Sequence, residues 1–313
     1  MRLVRTFIAC AVFTLVNAAL LVDASAQQTT RPLRPSSTEG VPVIPFMEGW
    51  YANDDGSVTV SFGYHNRNTK DIIVALGENN RIEPAQLDGM QPDIYFPGRH
   101  TGVFAVTLPA SMQDESLWWY IKTGNLEELR VPGNRGSDAY ELDRNPRPLG
   151  SMQPLVWFEN DERGSGPEGV IAADFRTVPV NEPLILEFET EDPSVYDLSN
   201  PLFGESVDTR VSWYKHQGPG EVTFMEHTDS PFIKTPTRTT QATQATRYPP
   251  TMPVASSTFT LSAGGGTARV LAMFSEPGEY MVRARVDNWA APDSGGLFQC
   301  CWSNAFQRVR VTE

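Results

Sequence analysis

The sequence predicts an all-β protein made of two tandem immunoglobulin-like β-sandwiches. Its 25 Pro and 24 Gly are spread along the whole chain. Many short apolar alternations lie between these turn residues, a pattern typical of β-sandwiches. No stretch has the periodicity of an amphipathic helix.

The clearest strand lies in residues 276–288, directly after a Pro277-Gly278 turn. Its side chains alternate strictly, which predicts one face packed in a core and one face exposed to water. The inward set is Tyr280, Val282, Ala284 and Val286, and the outward set is Met281, Arg283, Arg285 and Asp287. Tyr280, two residues before the central Val282, matches the tyrosine corner of immunoglobulin-type sandwiches.

Residues 1–26 have the pattern of a secretory signal peptide. Arg2 and Arg5 precede an apolar run at residues 7–22, and small residues follow it at a plausible cleavage point. The run is shorter than the ~20 residues of a membrane-spanning helix. We therefore expect a periplasmic or extracellular protein with no membrane insertion after signal removal; a retained anchor is the alternative.

The net charge of −13 at pH 7 limits the classes of partner. An acidic surface repels phosphate backbones and anionic lipid headgroups, so nucleic acid and membrane surfaces are not expected partners. The partner predicted instead is an unidentified protein or glycan of the cell envelope.

Composition divides the chain into a leader, two domains and a linker. Leu155–Phe158 within the linker is too apolar to remain exposed, so we expect it to pack against one domain. The predicted segments are a flexible leader at 27–40, a first β-sandwich at 41–140, a linker at 141–168, and a second β-sandwich at 169–313 with a disordered loop at 235–251.

The first domain opens with a hairpin turn at Asn53-Asp54-Asp55-Gly56. Apolar segments that predict its strands follow at 58–62, 72–76, 102–108, 117–121 and 129–131. Over about residues 49–119 this half resembles a β-sandwich module that recurs in exported bacterial multidomain proteins, and the resemblance implies no enzymatic activity. The matching segments are Asp55-Gly56, Phe62-Gly63-Tyr64, Asn66, Asn68, Leu76-Gly77, Asn79-Asn80, Gln91-Pro92, residues 96–100 and residues 103–106.

The second domain has an early strand with Leu184, Leu186 and Phe188 inward. Trp213 occupies the place of the core tryptophan of immunoglobulin-like sandwiches and should neighbour Val282. Gly264-Gly265-Gly266 predicts a hairpin between the segments 258–261 and 268–274.

Residues 211–213, 218–224 and 274–280 resemble the polycystic-kidney-disease-type (PKD-like) domains of bacterial surface and secreted proteins. Both halves together resemble an uncharacterised family of exported bacterial proteins that ends in a Gln-Cys-Cys-Trp segment. The resemblance implies a structural or interaction role rather than an activity.

Motifs for catalysis are incomplete. Asp293-Ser294-Gly295-Gly296 copies part of the nucleophile loop of trypsin-like proteases but lacks the preceding Gly and the following Pro. The four histidines, at 65, 100, 216 and 227, have no metal-ligand spacing. We predict a non-catalytic protein without cofactors; an enzyme with a site at the domain interface would need convergent carboxylates or histidines.

Cys300 and Cys301 are the two cysteines that remain after signal removal. An oxidising compartment favours a disulfide, and a bridge between neighbours would form a rigid apolar plate. Across a trans peptide their Cα atoms would lie about 3.8 Å apart, which is shorter than in ordinary disulfides. Two packed free thiols and intermolecular bridges are the alternatives.

The loop 288–303 is the candidate binding region. Its members with binding or redox chemistry are Trp289, Phe298, Cys300, Cys301 and Trp302. These side chains either cover the core or bind a carbohydrate or small ligand.

An acidic cluster is expected near this loop, at the same end of the second sandwich, which we call the pole. Its oxygen donors suggest calcium, although no loop has EF-hand spacing, and a solvated charged rim is the alternative. The candidate ligands are Glu191, Asp192, Asp287, Asn288 and Asp293. The function predicted overall is a non-catalytic interaction or structural module of the bacterial envelope.

Overall fold

The structure, a computed structural model, describes most of the chain from residue 40 onward. The described ranges are 40–112, 114–133, 135–197, 199–200, 207–229, 257–261, 264–289, 291, 293–294 and 300–313. The predicted signal peptide, all but the last residue of the predicted leader, the predicted loop at 235–251 and Phe298 lie outside them.

The first sandwich consists of two three-stranded sheets and a two-stranded ribbon. Its strands are β1 (Val43–Ala52), β2 (Val58–Asn66), β3 (Ile72–Ile73), β4 (Asn80–Glu83), β5 (Ile94–Tyr95), β6 (Gly98–Leu108), β7 (Leu117–Ile121) and β8 (Leu129–Gly133). The sheets have the orders β1-β2-β6 and β4-β7-β8, and β3 pairs with β5. Short 3-10 helices occupy Ala85–Leu87, Ala110–Met112 and Asp138–Tyr140. Within the described ranges, no helix has the length and apolar character that crossing a membrane requires.

Aromatic side chains fill the core of the first sandwich. Trp119 on β7 is fully buried and packs edge-on against Phe62 and Phe104, with ring centroids 5.9 and 5.0 Å away. The predicted turn joins β1 to β2: the Gly56 N–H donates to the Asn53 carbonyl at 2.9 Å, and Gly56 has a φ of +80° that favours glycine.

The second sandwich packs a five-stranded sheet on a larger sheet. Its strands are β9 (Leu155–Trp157), β10 (Gly164–Ser165), β11 (Val170–Ile171), β12 (Arg176–Pro179), β13 (Leu184–Glu191), β14 (Thr209–Gln217), β15 (Val222–Glu226), β16 (Thr258–Leu261), β17 (Gly265–Phe274), β18 (Gly278–Asp287) and β19 (Trp302–Thr312). The sheet orders are β10-β9-β13-β17-β15 and β11-β19-β18-β14-β16, and β12 also pairs with β19. The chain is therefore all-β, with two tandem sandwiches, as the sequence predicts.

The predicted inward faces form the core of the second sandwich. Tyr280, Val282, Ala284 and Val286 belong to one buried cluster together with Trp213, Leu184, Leu186 and Phe188. Val156 of β9 is fully buried in the same cluster, which confirms that Leu155–Phe158 packs against a domain. The tyrosine corner is confirmed as well, because the Tyr280 hydroxyl donates to the Glu276 carbonyl at 2.8 Å.

The predicted hairpin at Gly264–Gly266 is wrong. β16 pairs with β14 in one sheet, whereas β17 pairs with β13 and β15 in the other. The three glycines have φ values of +90°, +101° and +137°, which let the chain cross between the sheets instead of folding back on itself.

The predicted water-facing side of β18 is also wrong. Arg283 and Arg285 are each 4% exposed and Asp287 is 2% exposed. The first sandwich covers Arg283 and Arg285, and the described parts of both sandwiches belong to one compact unit. The division at residues 141–168 stays a prediction; within that range β9 and β10 join the five-stranded sheet.

Candidate functional site

The two sandwiches meet where β18 and β19 face the start of β6. Arg283 Nη1 donates to the Gly102 carbonyl at 2.8 Å, and Asn304 Nδ2 donates to the same oxygen at 3.0 Å. Arg285 Nη1 donates to the Thr101 carbonyl at 3.1 Å. We call this contact, formed by Thr101, Gly102, Arg283, Arg285 and Asn304, the seam.

A bulge in β6 makes these carbonyls available. The register between β2 and β6 shifts between Phe62 and Tyr64, so Thr101 and Gly102 lie outside the regular ladder. Gly102 has a φ of +58°, and a Cβ on it would overlap the indole ring of Trp302. Glycine is therefore required here both for the backbone conformation and for the close approach of β19.

Glu48 supports the seam from inside the first sandwich. Its carboxylate accepts the Gly102 N–H at 2.7 and 2.9 Å and the Ser61 hydroxyl at 2.7 Å. Burial raises the pKa of Glu48, while these hydrogen bonds and the nearby Arg285 oppose the rise. The backbone of Gly102 is thus held by a carboxylate at its N–H and by a guanidinium at its carbonyl.

The end of β14 forms a second contact with the first sandwich. His216 Nε2 lies 2.8 Å from the Met90 carbonyl, and because a carbonyl can only accept, this nitrogen carries the proton. Burial and the charge of Arg283 lower the pKa of His216 to about 3.

The Asp93 N–H donates to the His216 carbonyl at 3.0 Å, and the Gly218 N–H donates to Asp93 Oδ2 at 2.8 Å. Gln217 Nε2 donates to two further carbonyls, those of Gly89 and Gln91, at 2.8 Å each.

A cavity of about 580 Å³ lies between the two sandwiches beside this second contact. Ile73, Phe96 and His100 line it from the first sandwich, and Tyr214 and Phe224 from the second. Its size falls within the range of small-molecule sites, which often lie at domain interfaces.

The predicted binding loop is mostly buried. Cys300 and Cys301 are each 1% exposed and joined by a disulfide across a cis peptide bond, with Cα atoms 3.2 Å apart. Trp302 is 4% exposed and lies against Gly102. Trp289 is 40% exposed, with the Arg210 guanidinium 5.2 Å from its ring centroid. Phe298 lies outside the described residues.

Protein donors engage each of the predicted calcium ligands. Asp287 pairs with Arg210 at 2.8 Å and with Arg285 at 3.5 Å, and Glu191 pairs with Arg163 at 2.8 Å. The remaining carboxylates accept from neighbouring groups, Asp293 from the Leu149 N–H and the Ser151 hydroxyl, and Asp192 from the Ser194 N–H and hydroxyl.

Asn288 belongs to the same cluster as Asp192 and Asp293. Its Nδ2 contacts the Met152 carbonyl at 3.0 Å and Asp192 at 3.4 Å, and its Oδ1 accepts the Ser294 hydroxyl at 2.6 Å. The pole is thus a hydrogen-bonded network of side chains and backbone. In the part of the chain that the structure describes, no group of three or more His, Cys, Asp or Glu could hold a metal ion.

Ser294 and His100, which were considered for catalysis, form hydrogen bonds with neighbouring groups of the protein. The Ser294 hydroxyl donates to Asn288. His100 Nε2 lies 3.1 Å from the Pro97 carbonyl, and its ring stacks on Tyr64 with centroids 4.8 Å apart.

Sequence reasoning missed Glu48, Thr101, Gly102 and the cavity. A usable signal was the pair of arginines two residues apart on the most regular strand, since a guanidinium can donate to several carbonyls.

Comparisons with known proteins leave the family open. No family model matches the chain, and no curated protein matches it. Among solved structures the chain is similar to "Titin Ig tandem domains A164-A165" at 10% sequence identity, with a TM-score of 0.20. The match covers 87% of this chain and 99% of that one.

Proposed function

We propose that this chain is an exported, non-catalytic interaction or structural module of the bacterial envelope, and that its two sandwiches act as one rigid body. The observation that supports this proposal is the seam. Tandem domains with small polar interfaces usually move relative to one another. Here two buried guanidinium groups donate to backbone carbonyls across the interface, and moving the sandwiches apart would remove these acceptors.

Three further features support this role. The signal-peptide pattern at residues 1–26 favours export, and the disulfide of Cys300 and Cys301 suits an oxidising compartment. The hydrogen bonds of His100 and His216 join backbone carbonyls to side chains, as expected for groups that stabilise a fold. The acidic chain suits a protein or glycan partner rather than nucleic acid.

A thermal-shift screen of the chain from residue 27 tests the proposal. The panel contains cell-wall and polysaccharide fragments, each with and without calcium. A ligand that binds the native state raises the Tm by mass action, so we expect one fragment class to raise it and to be recovered unchanged. Chemical conversion of any fragment would contradict the non-catalytic part. If no fragment raises the Tm, the result would contradict the interaction role and leave the structural role.

A second candidate function is carbohydrate binding through the loop 288–303. The observation that favours it is the exposed ring of Trp289, because aromatic faces on loops are common recognition elements. Trp289→Ala should then abolish the shift caused by a sugar fragment. Tyr140→Ala, at an aromatic residue that is 54% exposed elsewhere on the chain, is the matched control and should leave that shift intact.

A further inference from the structure

The cavity beside the second contact combines an aromatic interior with a charged rim. Phe96 and Tyr214 pack together across the two sandwiches, with ring centroids 6.0 Å apart. Trp213 and Phe224 form a second ring pair, with centroids 6.2 Å apart. All four residues line the cavity. Such faces attract cations through their quadrupoles and also bind apolar groups.

Carboxylates dominate the charge of the rim. Asp71, Glu221 and Glu276 line the cavity and are exposed. Desolvation, and then the nearby Glu221 carboxylate, raise the pKa of Asp71, so these two negative groups repel each other. A bound cation would relieve that repulsion.

The basic groups of the cavity offset this charge only in part. Lys215 Nζ donates to the Gly220 carbonyl at 2.6 Å, which occupies one of its three donors on the protein itself. Burial lowers the pKa of Lys215, while the carboxylates of Asp93, Glu276 and Glu221 oppose that change. Burial lowers the pKa of His100 to about 4, so this side chain is neutral at pH 7. Three carboxylates therefore face a single ammonium group.

Trp213, in the wall of the cavity, has a buried indole N–H. Trp213 is 3% exposed and lines the cavity, and its indole N–H has no hydrogen-bond partner among the described residues. Buried donors without partners are rare in folded proteins. Because this N–H is shielded from solvent, it serves as a reporter of the cavity wall and not as a contact for the ligand.

We infer that the cavity binds a small organic cation, in which an ammonium group is carried on an aromatic or other apolar body. The ammonium group lies at the rim near Asp71 and Glu221, and the apolar body packs between the aromatic rings. This inference goes beyond the proposed envelope role, because it depends on the two sandwiches being held together around the cavity and not on export.

Three probes of one shape and different charge test the inference. Tyramine is the cation, tyrosol its neutral alcohol, and 3-(4-hydroxyphenyl)propionate the anion. Each is titrated into the ¹⁵N-labelled chain, and the indole signal of Trp213 is assigned by its loss in Trp213→Phe. Tyramine should shift this signal at lower concentration than tyrosol, and the anion should not shift it. Equal Kd values for tyramine and tyrosol would overturn the inference, as would the absence of any tyramine-dependent shift.

Two matched double variants locate the charge effect. Asp71→Asn with Glu221→Gln should raise the Kd of tyramine about tenfold at low salt, as expected for the loss of two rim ion pairs, and should leave the Kd of tyrosol unchanged. Asp114→Asn with Glu127→Gln removes the same charge from exposed positions that do not line the cavity. This control should bind tyramine like the wild type. Equal weakening in both double variants would show a general effect of net charge and would overturn the site.

Discussion

Cys300 and Cys301 are sequence neighbours, so their disulfide closes a ring that contains no other residue. Disulfides stabilise mainly by restricting the unfolded chain, and the effect grows with the number of residues enclosed. Both cysteines are buried, each with 1% exposure. Their contribution to stability therefore comes from packing, which reduction leaves in place.

We predict that reducing this disulfide changes the free energy of unfolding by less than about 1 kcal/mol. Urea denaturation of the oxidised and reduced forms measures the difference. Intact-mass analysis should find the oxidised monomer two hydrogens lighter than the reduced one. Two free thiols, or a covalent dimer, in the untreated protein would contradict the vicinal bridge, and a loss of several kcal/mol on reduction would contradict the packing argument.

His216 makes the stability of the chain depend on pH. Its folded-state pKa of about 3 lies below the 6.5 of an unperturbed histidine. Between these values the unfolded chain binds a proton that the folded chain does not, so stability is lost as the pH falls below 6.5. Other groups titrate in the same range, but their effect cancels when a variant is compared with the wild type.

We predict that, between pH 7 and pH 5, the wild type loses about 2 kcal/mol more unfolding free energy than His216→Gln. Glutamine retains an N–H donor for the Met90 carbonyl and cannot be protonated in this range. Chemical denaturation at both pH values gives the four free energies. His227→Gln is the control at a half-exposed histidine and should follow the wild type. Equal losses in the wild type and His216→Gln would contradict the lowered pKa, because His216 would then gain its proton at the same pH in the folded and the unfolded chain.

At the scale of the elements, the tyrosine corner joins two turns. The Tyr280 hydroxyl donates to the Glu276 carbonyl and accepts the Gly220 N–H at 2.9 Å. It therefore ties the start of β18 to the crossing between β14 and β15.

Tyr280→Phe should destabilise the chain by about 1 to 3 kcal/mol, because the ring stays in the core while the buried Gly220 N–H loses its acceptor. Thermal or urea denaturation measures the change. Tyr140→Phe removes the hydroxyl of an exposed tyrosine and should have almost no effect. If both variants have wild-type stability, the corner contributes nothing measurable.

The sequence predicts those elements whose signal is local. Alternation identifies the inward face of β18, and the run from Asn53 to Gly56 identifies the turn between β1 and β2. The sequence does not predict contacts between residues that lie far apart in the chain. Arg283 and Arg285 have the pattern of an exposed face, but their partners are carbonyls of Thr101 and Gly102, more than 180 positions earlier in the chain. Backbone acceptors have no residue type, so no pattern identifies them in advance.

The same limit applies to the candidate site. Trp289 and Trp302 are the same type of residue, and the sequence does not distinguish them. Trp289 is exposed, whereas Trp302 lies against the first sandwich. The cavity combines residues from 71 to 276, which pattern analysis of separate segments cannot bring together. The glycines between β16 and β17 allow either a hairpin or a crossing, and the sheet partners of each strand decide between them.

At the scale of the whole molecule, the seam makes the two cores depend on each other. Glu48 lies in β1, Gly102 in β6 and Arg283 in β18, and hydrogen bonds connect all three through the backbone N–H and the backbone carbonyl of Gly102. Burial lowers the pKa of Arg283 to about 10, so its guanidinium is charged at pH 7. The Nη1 of this buried group donates to the Gly102 carbonyl, and separating the sandwiches would remove that acceptor.

We therefore predict that the chain unfolds in one cooperative transition and that Arg283→Ala with Arg285→Ala separates it into two. The double variant should lose about 3 kcal/mol or more, since the carbonyls of Thr101 and Gly102 keep their buried positions without these donors. Differential scanning calorimetry measures both quantities. Arg269→Ala with Arg310→Ala removes two arginines whose ion pairs lie at the surface, and it should lose about 1 kcal/mol or less and keep a single transition. Two transitions in the wild type, or equal losses in the two double variants, would show that the sandwiches unfold independently and that the seam does not couple them.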